Sequence, residues 1–251
     1  MPGPVLVEEN EAILIVTLEA QATRNALSHE MLDQLGEAMP IEDRGLSGVV
    51  ITGAGSVFSA GADFTALTGN ESDVQYDARV SDVVHAILQC PVPVVAAVEG
   101  PCMGAAADLA LACDFRVLSS GSFMEIPAAR LGIIYNPSTI RRLQGRYRDD
   151  ALRRLFLLGE RVAATDAVAM GLATQSVPPG TALEAARLLL ASPGGRVGDA
   201  VAGMKRVFNN PDAAIDDGSL IDRERRRLLS TPERQKAVED RRPRSASTSD
   251  E

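Results

Sequence analysis

Residues 91 to 117 read PVPVVAAVEGPCMGAAADLALACDFRV and contain three apolar segments of different character. The first, VPVVAAV, is short and mostly β-branched, as expected for a strand buried on both faces of a parallel sheet. AAADLALA is rich in strong helix formers and predicts a helix, after which DFRV predicts a second strand. A strand, a helix and another strand in this order predict a crossover unit, and therefore an α/β fold.

The same alternation of strands and helices precedes this stretch. ILIVTLEA (13–20) and GVVITG (48–53) predict strands, while SHEMLDQLGEAM (28–39) and ARVSDVVHAIL (78–88) predict helices. Ser28 is a candidate N-cap for the first of these helices. The alternation indicates a largely parallel sheet.

Strand signals fade beyond about residue 137, and the remaining apolar segments have helical spacing. We therefore predict an α/β core over residues 1–190 and a C-terminal helical region over residues 191–240. Residues 241–251 lack apolar anchors and are predicted to be a disordered tail. The polar stretch TGNESDVQYD (68–77) is predicted to be a mobile loop.

The composition restricts the class of protein. The chain has 251 residues, of which 45% are hydrophobic, so it can form one soluble globular domain with a smaller appendage. Its formal charge of −9 argues against a general affinity for nucleic acid or an anionic membrane. Three cysteines without metal-ligand spacing and only two histidines argue against a metal centre. Reduced thiols, no signal-peptide pattern and apolar runs too short to span a bilayer predict a cytoplasmic protein.

Two segments with small side chains are candidate ligand sites. SAGAD (59–63) and GAAAD (104–108) would let a ligand approach the backbone closely. GAAAD begins where a strand ends, so its first amides lack partners within the helix and lie at the positive end of the helix dipole. Asp108 follows Ala105 by about one helical turn. The alternatives are a tight turn for SAGAD and plain alanine-rich helix packing for GAAAD.

Other motifs are incomplete or missing. TGAGSVF (52–58) has the first two glycines of a dinucleotide-binding loop, but Phe58 stands where the third glycine is needed, so a plain turn is favoured. The sequence has no GxSxG elbow, Walker A loop, HExxH motif or EF-hand loop. A Rossmann oxidoreductase is therefore the weakest of the functions considered.

Five segments together resemble the enoyl-CoA hydratase/isomerase (crotonase) superfamily in their order and approximate spacing. They are RNALS (24–28), VVITGAGSVFSAGAD (49–63), the stretch 91–117, PAARLGI (127–133) and GERVAATDAVAMGLA (159–173). The resemblance extends over roughly residues 5–210. It implies a spiral core of stacked ββα turns, a C-terminal helical trimerisation region, trimers that often pair into hexamers, and a role in fatty acid metabolism.

The resemblance also implies that an acyl-CoA thioester is the ligand and substrate, with no separate cofactor and no metal. The thioester oxygen would lie between the backbone amides of Ala62 and Ala105. The CoA moiety would contact the backbone of Arg24, Ala26 and Ala60. Such amides stabilise the charge that develops on the thioester oxygen during reaction.

Only one of the two glutamates that the hydratases of this family use has a counterpart. Asp108 aligns with the first, while the position of the second, after Pro127, is Ala128. Glu125 stands on the other side of Pro127 and is not an obvious substitute. An alanine cannot transfer a proton, and general acid–base catalysis contributes about 100- to 10,000-fold. We therefore predict isomerisation or weak hydration of an enoyl-CoA with Asp108 as the single acid; the alternative is a non-catalytic acyl-CoA-binding protein.

Three further features depart from the family pattern or lie outside it. Relatives usually have glycine at the positions of Ala105 and Ala106, and a glycine-rich segment where this chain has GIIYNPSTIRRL (132–143). Tyr135 in this segment is predicted to line the acyl pocket, with a general acid as the alternative. RERRR (223–227) is predicted to be a solvated helix face, with a contact to CoA phosphates across a subunit interface as the alternative.

Overall fold

The computed structural model of the chain describes residues 3–40, 42, 45–191, 198–210 and 220–239. Contacts within the chain divide it into two units, residues 1–194 and residues 195–251. Among the described helices, none is long and apolar enough to cross a membrane.

The first unit contains nine described strands in two sheets. In chain order they are β1 (Val5–Asn10), β2 (Ile13–Leu18), β3 (Gly48–Gly53), β4 (Val94–Val98), β5 (Pro101–Met103), β6 (Phe115–Ser119), β7 (Phe123–Glu125), β8 (Val162–Ala163) and β9 (Gln175–Val177). The larger sheet has the order β1-β2-β3-β4-β6-β9, and the smaller one has the order β5-β7-β8. Only β1 in the larger sheet is antiparallel to its neighbour, so the predicted parallel sheet is confirmed.

Seven α-helices of the first unit connect and cover these strands. They are α1 (His29–Ala38), α2 (Val74–Gln89), α3 (Ala105–Ala112), α4 (Pro137–Gln144), α5 (Asp149–Leu157), α6 (Ala164–Ala169) and α7 (Ala182–Leu190). Short 3-10 turns include one over Ala128–Leu131. The Ser28 hydroxyl accepts a hydrogen bond from Met31 N–H (3.1 Å), which confirms the predicted N-cap of α1.

A strand of the larger sheet, a short strand of the smaller one and a helix form a repeating ββα turn. The unit β4–β5–α3 is the clearest example, and its chain turns sharply at Gly100, where φ is +62°. A Cβ atom at this position would lie 2.1 Å from Ser56 O, so only glycine fits. The predicted α/β core of stacked ββα turns is thus confirmed.

The two faces of the larger sheet bury different helices. α1, α2 and α3 pack with one face of the sheet in the main hydrophobic core. On the other face, Ile15, Val50 and Val95 pack with Ala186 and Leu190 of α7. Ala186 is thus buried within its own chain, because the strands of a parallel sheet are apolar on both faces.

The expectation of a loop over residues 68–77 is wrong in part, because α2 already begins at Val74. The carboxylate of Asp73 accepts hydrogen bonds from the backbone amides of Thr68 (2.7 Å) and Gly69 (2.9 Å). Side-chain bonds of this kind close a tight turn before the helix, which composition alone does not reveal.

The second unit contains the described helices α8 (Gly198–Asn209), α9 (Leu220–Leu229) and α10 (Pro232–Glu239). Arginines of the RERRR run pair with acids inside this unit: Arg226 with Asp222 (2.8 Å) and Arg227 with Asp199 (2.7 Å). Both arginine side chains are more than half exposed, which agrees with the predicted solvated face. The predicted tail, residues 241–251, lies outside the described residues.

Candidate active site

The segments SAGAD and GAAAD lie side by side. Ser59 N–H donates to Pro101 O (3.1 Å), and Ser59 O accepts from Met103 N–H (3.1 Å), so the two segments start as a parallel pair. Further along, Gly61 lies against Met103 and Gly104, the residues that precede Ala105.

Gly61 permits this close approach. Its φ is +87°, and a Cβ atom there would lie 2.5 Å from Met103 O and 3.5 Å from Gly104 Cα. On its other side, Leu27 N–H donates to Gly61 O (2.8 Å), and Leu27 O accepts from the amide two residues beyond Gly61 (3.3 Å). The intervening Ala62 N–H has no acceptor among the described residues.

The start of α3 supplies the second amide. Gly104 has a φ of +53° and donates its N–H to Glu125 O (2.8 Å), while its carbonyl accepts from Asp108 N–H (3.2 Å). The amides of Ala105 and Ala106 find no acceptor in the described part of the chain, as expected for a first helical turn. Ala106 is fully buried in the core, whereas Ala105 is 9% exposed. Of these two residues, Ala105 is therefore the one that keeps some contact with the surface.

Asn25 joins the RNALS segment to the loop before SAGAD. Its buried carboxamide accepts from Ala20 N–H (3.0 Å) and donates to Ala54 O (3.0 Å) and Val57 O (2.8 Å). Arg24 and Asn25 both have left-handed backbone conformations, with φ of 56° and 55°. A fully bonded asparagine in this rare conformation fixes the segment in one arrangement.

The three residues expected to contact CoA lie next to the hydrogen-bonded side chain of Asn25. Their amides all donate within the chain: Arg24 to Gln21 O (3.0 Å), Ala26 to Thr23 O (3.3 Å) and Ala60 to Arg24 O (3.0 Å). Any backbone contact between these residues and a ligand therefore falls on carbonyl oxygens, which accept hydrogen bonds from a donor group.

The carboxylate of Asp108 is 1% exposed and has three partners from the segment that departs from the family pattern. Arg142 Nη2 forms an ion pair with Oδ1, Thr139 Oγ1 donates to Oδ2 at 3.1 Å, and the Tyr135 hydroxyl lies 3.5 Å from Oδ2. Thr139 and Arg142 are three residues apart on α4, so they share one helix face.

These surroundings change the acidity of both titratable groups. Burial raises the pKa of Asp108, and the charge of Arg142 and the hydrogen bond from Thr139 oppose this rise. Burial and the negative charge of Asp108 raise the pKa of Tyr135 well above its usual range. The phenol therefore stays protonated at neutral pH and can donate a hydrogen bond to the carboxylate.

Glu125 is the other buried acid close to these segments, and its carboxylate is closed off. Arg130 pairs with Oε1, and Arg161 Nε pairs with Oε2 at 3.0 Å. The side chains of both arginines are more than half exposed, so these ion pairs face the solvent. The prediction that Glu125 does not substitute for the missing acid agrees with this geometry.

Ala128 and Tyr135 are two further positions that the sequence singled out. Ala128 is buried at the start of its 3-10 turn and presents only a methyl group. The Tyr135 ring packs edge-on against Phe156, with 5.2 Å between the ring centroids. The Tyr135 ring is thus packed against α5, and its hydroxyl reaches towards Asp108. In the described ranges, no group of three or more His, Cys, Asp or Glu side chains is placed to hold a metal ion.

Arg142 and Thr139 were missed by the sequence reasoning. The available signal was their spacing in PSTIRRL, together with the physical need of any buried carboxylate for a counter-charge. Nothing in the spacing indicates that α4 packs against α3, because that contact joins segments 34 residues apart.

Comparison with known proteins finds the same enzyme family by sequence and by structure. The model of the enoyl-CoA hydratase/isomerase family matches residues 8–237. The chain is 32% identical over 216 residues to the probable enoyl-CoA hydratase echA6 of Mycobacterium tuberculosis, covering 84% of each chain. It is 34% identical over 188 residues to a putative enoyl-CoA hydratase of Thermus thermophilus, covering 72% of this chain and 74% of the relative.

Solved structures agree over nearly the whole chain. DspI of Pseudomonas aeruginosa superposes with a TM-score of 0.85 at 25% identity and covers 97% of both chains. An enoyl-CoA hydratase of Mycobacterium smegmatis has a TM-score of 0.83 at 26% identity and covers 97% of this chain and 99% of its own. The chain belongs to the enoyl-CoA hydratase/isomerase family of enzymes.

Proposed function

We propose that this protein binds an enoyl-CoA thioester and moves its double bond, with Asp108 carrying the proton. One observation supports the proposal above all others. Two amides without internal acceptors, at Ala62 and Ala105, lie on paired segments, and a buried carboxylate follows one turn later on the same helix.

The two amides would act on the thioester oxygen. When a proton leaves the carbon chain, negative charge moves onto this oxygen as the enolate forms. Two N–H groups, one of them at a helix N-terminus, stabilise that charge without reorganising. Loss of one such donor typically costs about 3 to 4 kcal/mol of transition-state stabilisation.

Asp108 would move the proton in two steps. Its carboxylate takes a proton from one carbon, and the electron pair of the broken C–H bond enters the enolate. The protonated acid then returns the proton to another carbon of the conjugated system, and the double bond shifts. No atom is gained or lost, so one acid is sufficient.

Hydration needs more than the described site offers. A hydratase adds a water molecule and a proton, and the family uses two acids for this purpose. Here the second position is the buried methyl group of Ala128, and the carboxylate of Glu125 is occupied by Arg130 and Arg161. We therefore rank isomerisation above hydration.

The second candidate is a non-catalytic acyl-CoA-binding protein, and a specific contact favours it. The carboxylate of Asp108 already has an ion pair with Arg142 and a hydrogen bond from Thr139. An acid held in this way is a weaker base than a free buried carboxylate, because its charged form is stabilised.

Incubation with 2-enoyl- and 3-enoyl-CoA thioesters in deuterated water, followed by mass spectrometry, separates these functions. Isomerisation incorporates deuterium at the α- or γ-carbon without adding a hydroxyl group. A β-hydroxyacyl product would indicate hydration. Tight binding without turnover or exchange would indicate the non-catalytic protein, and no binding of any acyl-CoA up to millimolar concentration would refute both.

The assembly and cellular context are also part of the proposal. We infer a homotrimer, or a hexamer of two trimers, in the cytoplasm, with a role in fatty acid metabolism. Exposed apolar side chains support the assembly: Leu188 on α7 is 64% exposed, and Met204 and Phe208 on α8 are 57% and 80% exposed. Light scattering that reports a particle of 26.5 kDa at working concentration would exclude it.

A further inference from the structure

One terminal nitrogen of Arg142 lacks a hydrogen-bond partner among the described residues. Nη2 is paired with Asp108, but the buried Nη1 has no hydrogen-bond partner among the described residues. Buried polar atoms in folded proteins are almost always hydrogen-bonded, so an exception calls for a partner that is absent from the free chain. The guanidinium group is planar and rigid, so Nη1 lies directly beside the Asp108 ion pair.

This nitrogen belongs to the same buried cluster as the proposed proton carrier. Arg142 reaches Asp108 from α4, Thr139 donates to the same carboxylate from one turn earlier, and the Tyr135 hydroxyl lies beside it. Only 15% of the Arg142 side chain is exposed, so it is held in place by packing and the ion pair. A ligand oxygen that replaces the missing partner would meet a donor whose direction is already fixed.

The charge balance of this cluster indicates which kind of oxygen fits. The positive charge of Arg142 is already balanced by Asp108, and α4 places no second positive group on this carboxylate. A ligand carboxylate would add an unbalanced negative charge to a buried site, which is unfavourable. A hydroxyl or ketone oxygen accepts the hydrogen bond without adding charge.

We propose that Arg142 is a specificity-determining residue whose free Nη1 binds a neutral oxygen, a hydroxyl or a ketone, on the acyl chain of the substrate. The protein then prefers oxygenated acyl-CoA thioesters to plain hydrocarbon ones. This inference rests on the proposed function, because it assumes that the acyl chain lies beside Asp108.

Calorimetric titration of the full-length protein with four-carbon thioesters tests the preference. The probes are butyryl-CoA, which has no extra oxygen, 3-hydroxybutyryl-CoA, 4-hydroxybutyryl-CoA and acetoacetyl-CoA, which have a neutral one, and succinyl-CoA, which has a carboxylate. We expect at least one neutral oxygenated thioester to bind at least about tenfold more tightly than butyryl-CoA, as one satisfied buried donor would give.

Two variants locate the effect. Arg142→Lys keeps a positive charge for Asp108 but has a single terminal nitrogen, so the preference should fall to less than about twofold. Arg141→Lys makes the same change at the preceding, exposed residue and should keep the preference of the wild type. Thermal unfolding of both variants shows whether the fold is intact.

The outcomes separate this inference from the proposed function. Equal affinity of the wild type for butyryl-CoA and all oxygenated thioesters would overturn the inference and leave the proposed function standing. Tightest binding of succinyl-CoA would overturn the choice of a neutral oxygen. If Arg142→Lys retains the full preference, another residue binds the oxygen. If no thioester binds, the proposed function fails, and this inference fails with it.

Discussion

Asp108 and Glu125 are two buried acids that arginines neutralise in different ways. Glu125 is 4% exposed and uses both of its oxygens on Arg130 and Arg161, whose side chains reach out into solvent. Asp108 is 1% exposed and pairs with one arginine, Arg142, whose second terminal nitrogen is left without a described partner.

The comparison of the two clusters shows which of them has an unused hydrogen-bond donor. The Glu125 cluster is complete, so it stabilises the loop after β7 without offering anything to a substrate. The Asp108 cluster is incomplete and lies one helical turn from the free amide of Ala105. An unfinished buried network is expensive in a folded protein, and its usual explanation is function.

The largest effect is expected from Asp108→Asn. Turnover should fall by at least about 100-fold, because the variant lacks the group that carries the proton. Acyl-CoA affinity should stay within a few-fold, as the backbone amides of Ala62 and Ala105 are unchanged. Steady-state kinetics and calorimetry measure the two quantities.

The control for Asp108→Asn is the double variant with Arg142→Gln, which removes both charges. Removal of one partner of a buried ion pair typically costs about 3 to 5 kcal/mol of stability, so urea unfolding of both proteins must accompany the kinetics. Unchanged turnover in a folded Asp108→Asn variant would show that the proton moves through another group.

Ala128→Glu should restore the second acid of the family. Hydration of 2-enoyl-CoA should rise at least about tenfold, which is less than the about 100-fold of a well-placed acid–base group because the new side chain is not optimised. Ala129→Glu introduces the same side chain at the next, exposed position and serves as the matched control. Equal hydration by both variants would contradict a special role of position 128.

A smaller effect concerns the acidic limb of the pH–rate profile. Arg142 is the largest of the influences that lower the pKa of Asp108, against the rise caused by burial. Arg142→Gln removes that influence, so the pKa should rise and the base form should be lost at a higher pH. We expect the acidic limb to move to higher pH. Arg142→Lys, which keeps the charge, should move the limb less than Arg142→Gln does.

The smallest effect on catalysis is expected from Glu125→Gln. Turnover should change by less than about twofold, because the Glu125 carboxylate is paired with Arg130 and Arg161 and takes no part in the proposed proton transfer. The variant loses charge-assisted hydrogen bonds, so the free energy of unfolding should fall by about 1 to 2 kcal/mol. Chemical denaturation measures this loss; a large fall in turnover without a loss of stability would break the distinction between the two acids.

Much of the fold was predictable because its signals are local. The apolar run of β4, the helix formers of α3 and the cap at Ser28 each depend on neighbouring residues, and all three were predicted correctly. Ala186 shows the limit of such signals. The apolar spacing on α7 is typical of a buried helix face, but such a pattern does not specify whether the sheet of the same chain or another chain covers that face.

The candidate site likewise combines features that are local in sequence with features that depend on distant segments. By itself, the sequence determined the small residues of SAGAD and GAAAD, the carboxylate at Asp108 and the lack of an acid at Ala128. Only the tertiary structure decided that the two segments pair at Ser59, and that Arg142 and Thr139 reach Asp108 from another helix. The physical reason is that backbone propensities and spacing act over a few residues, whereas the charge balance of a buried group depends on which distant segments pack around it.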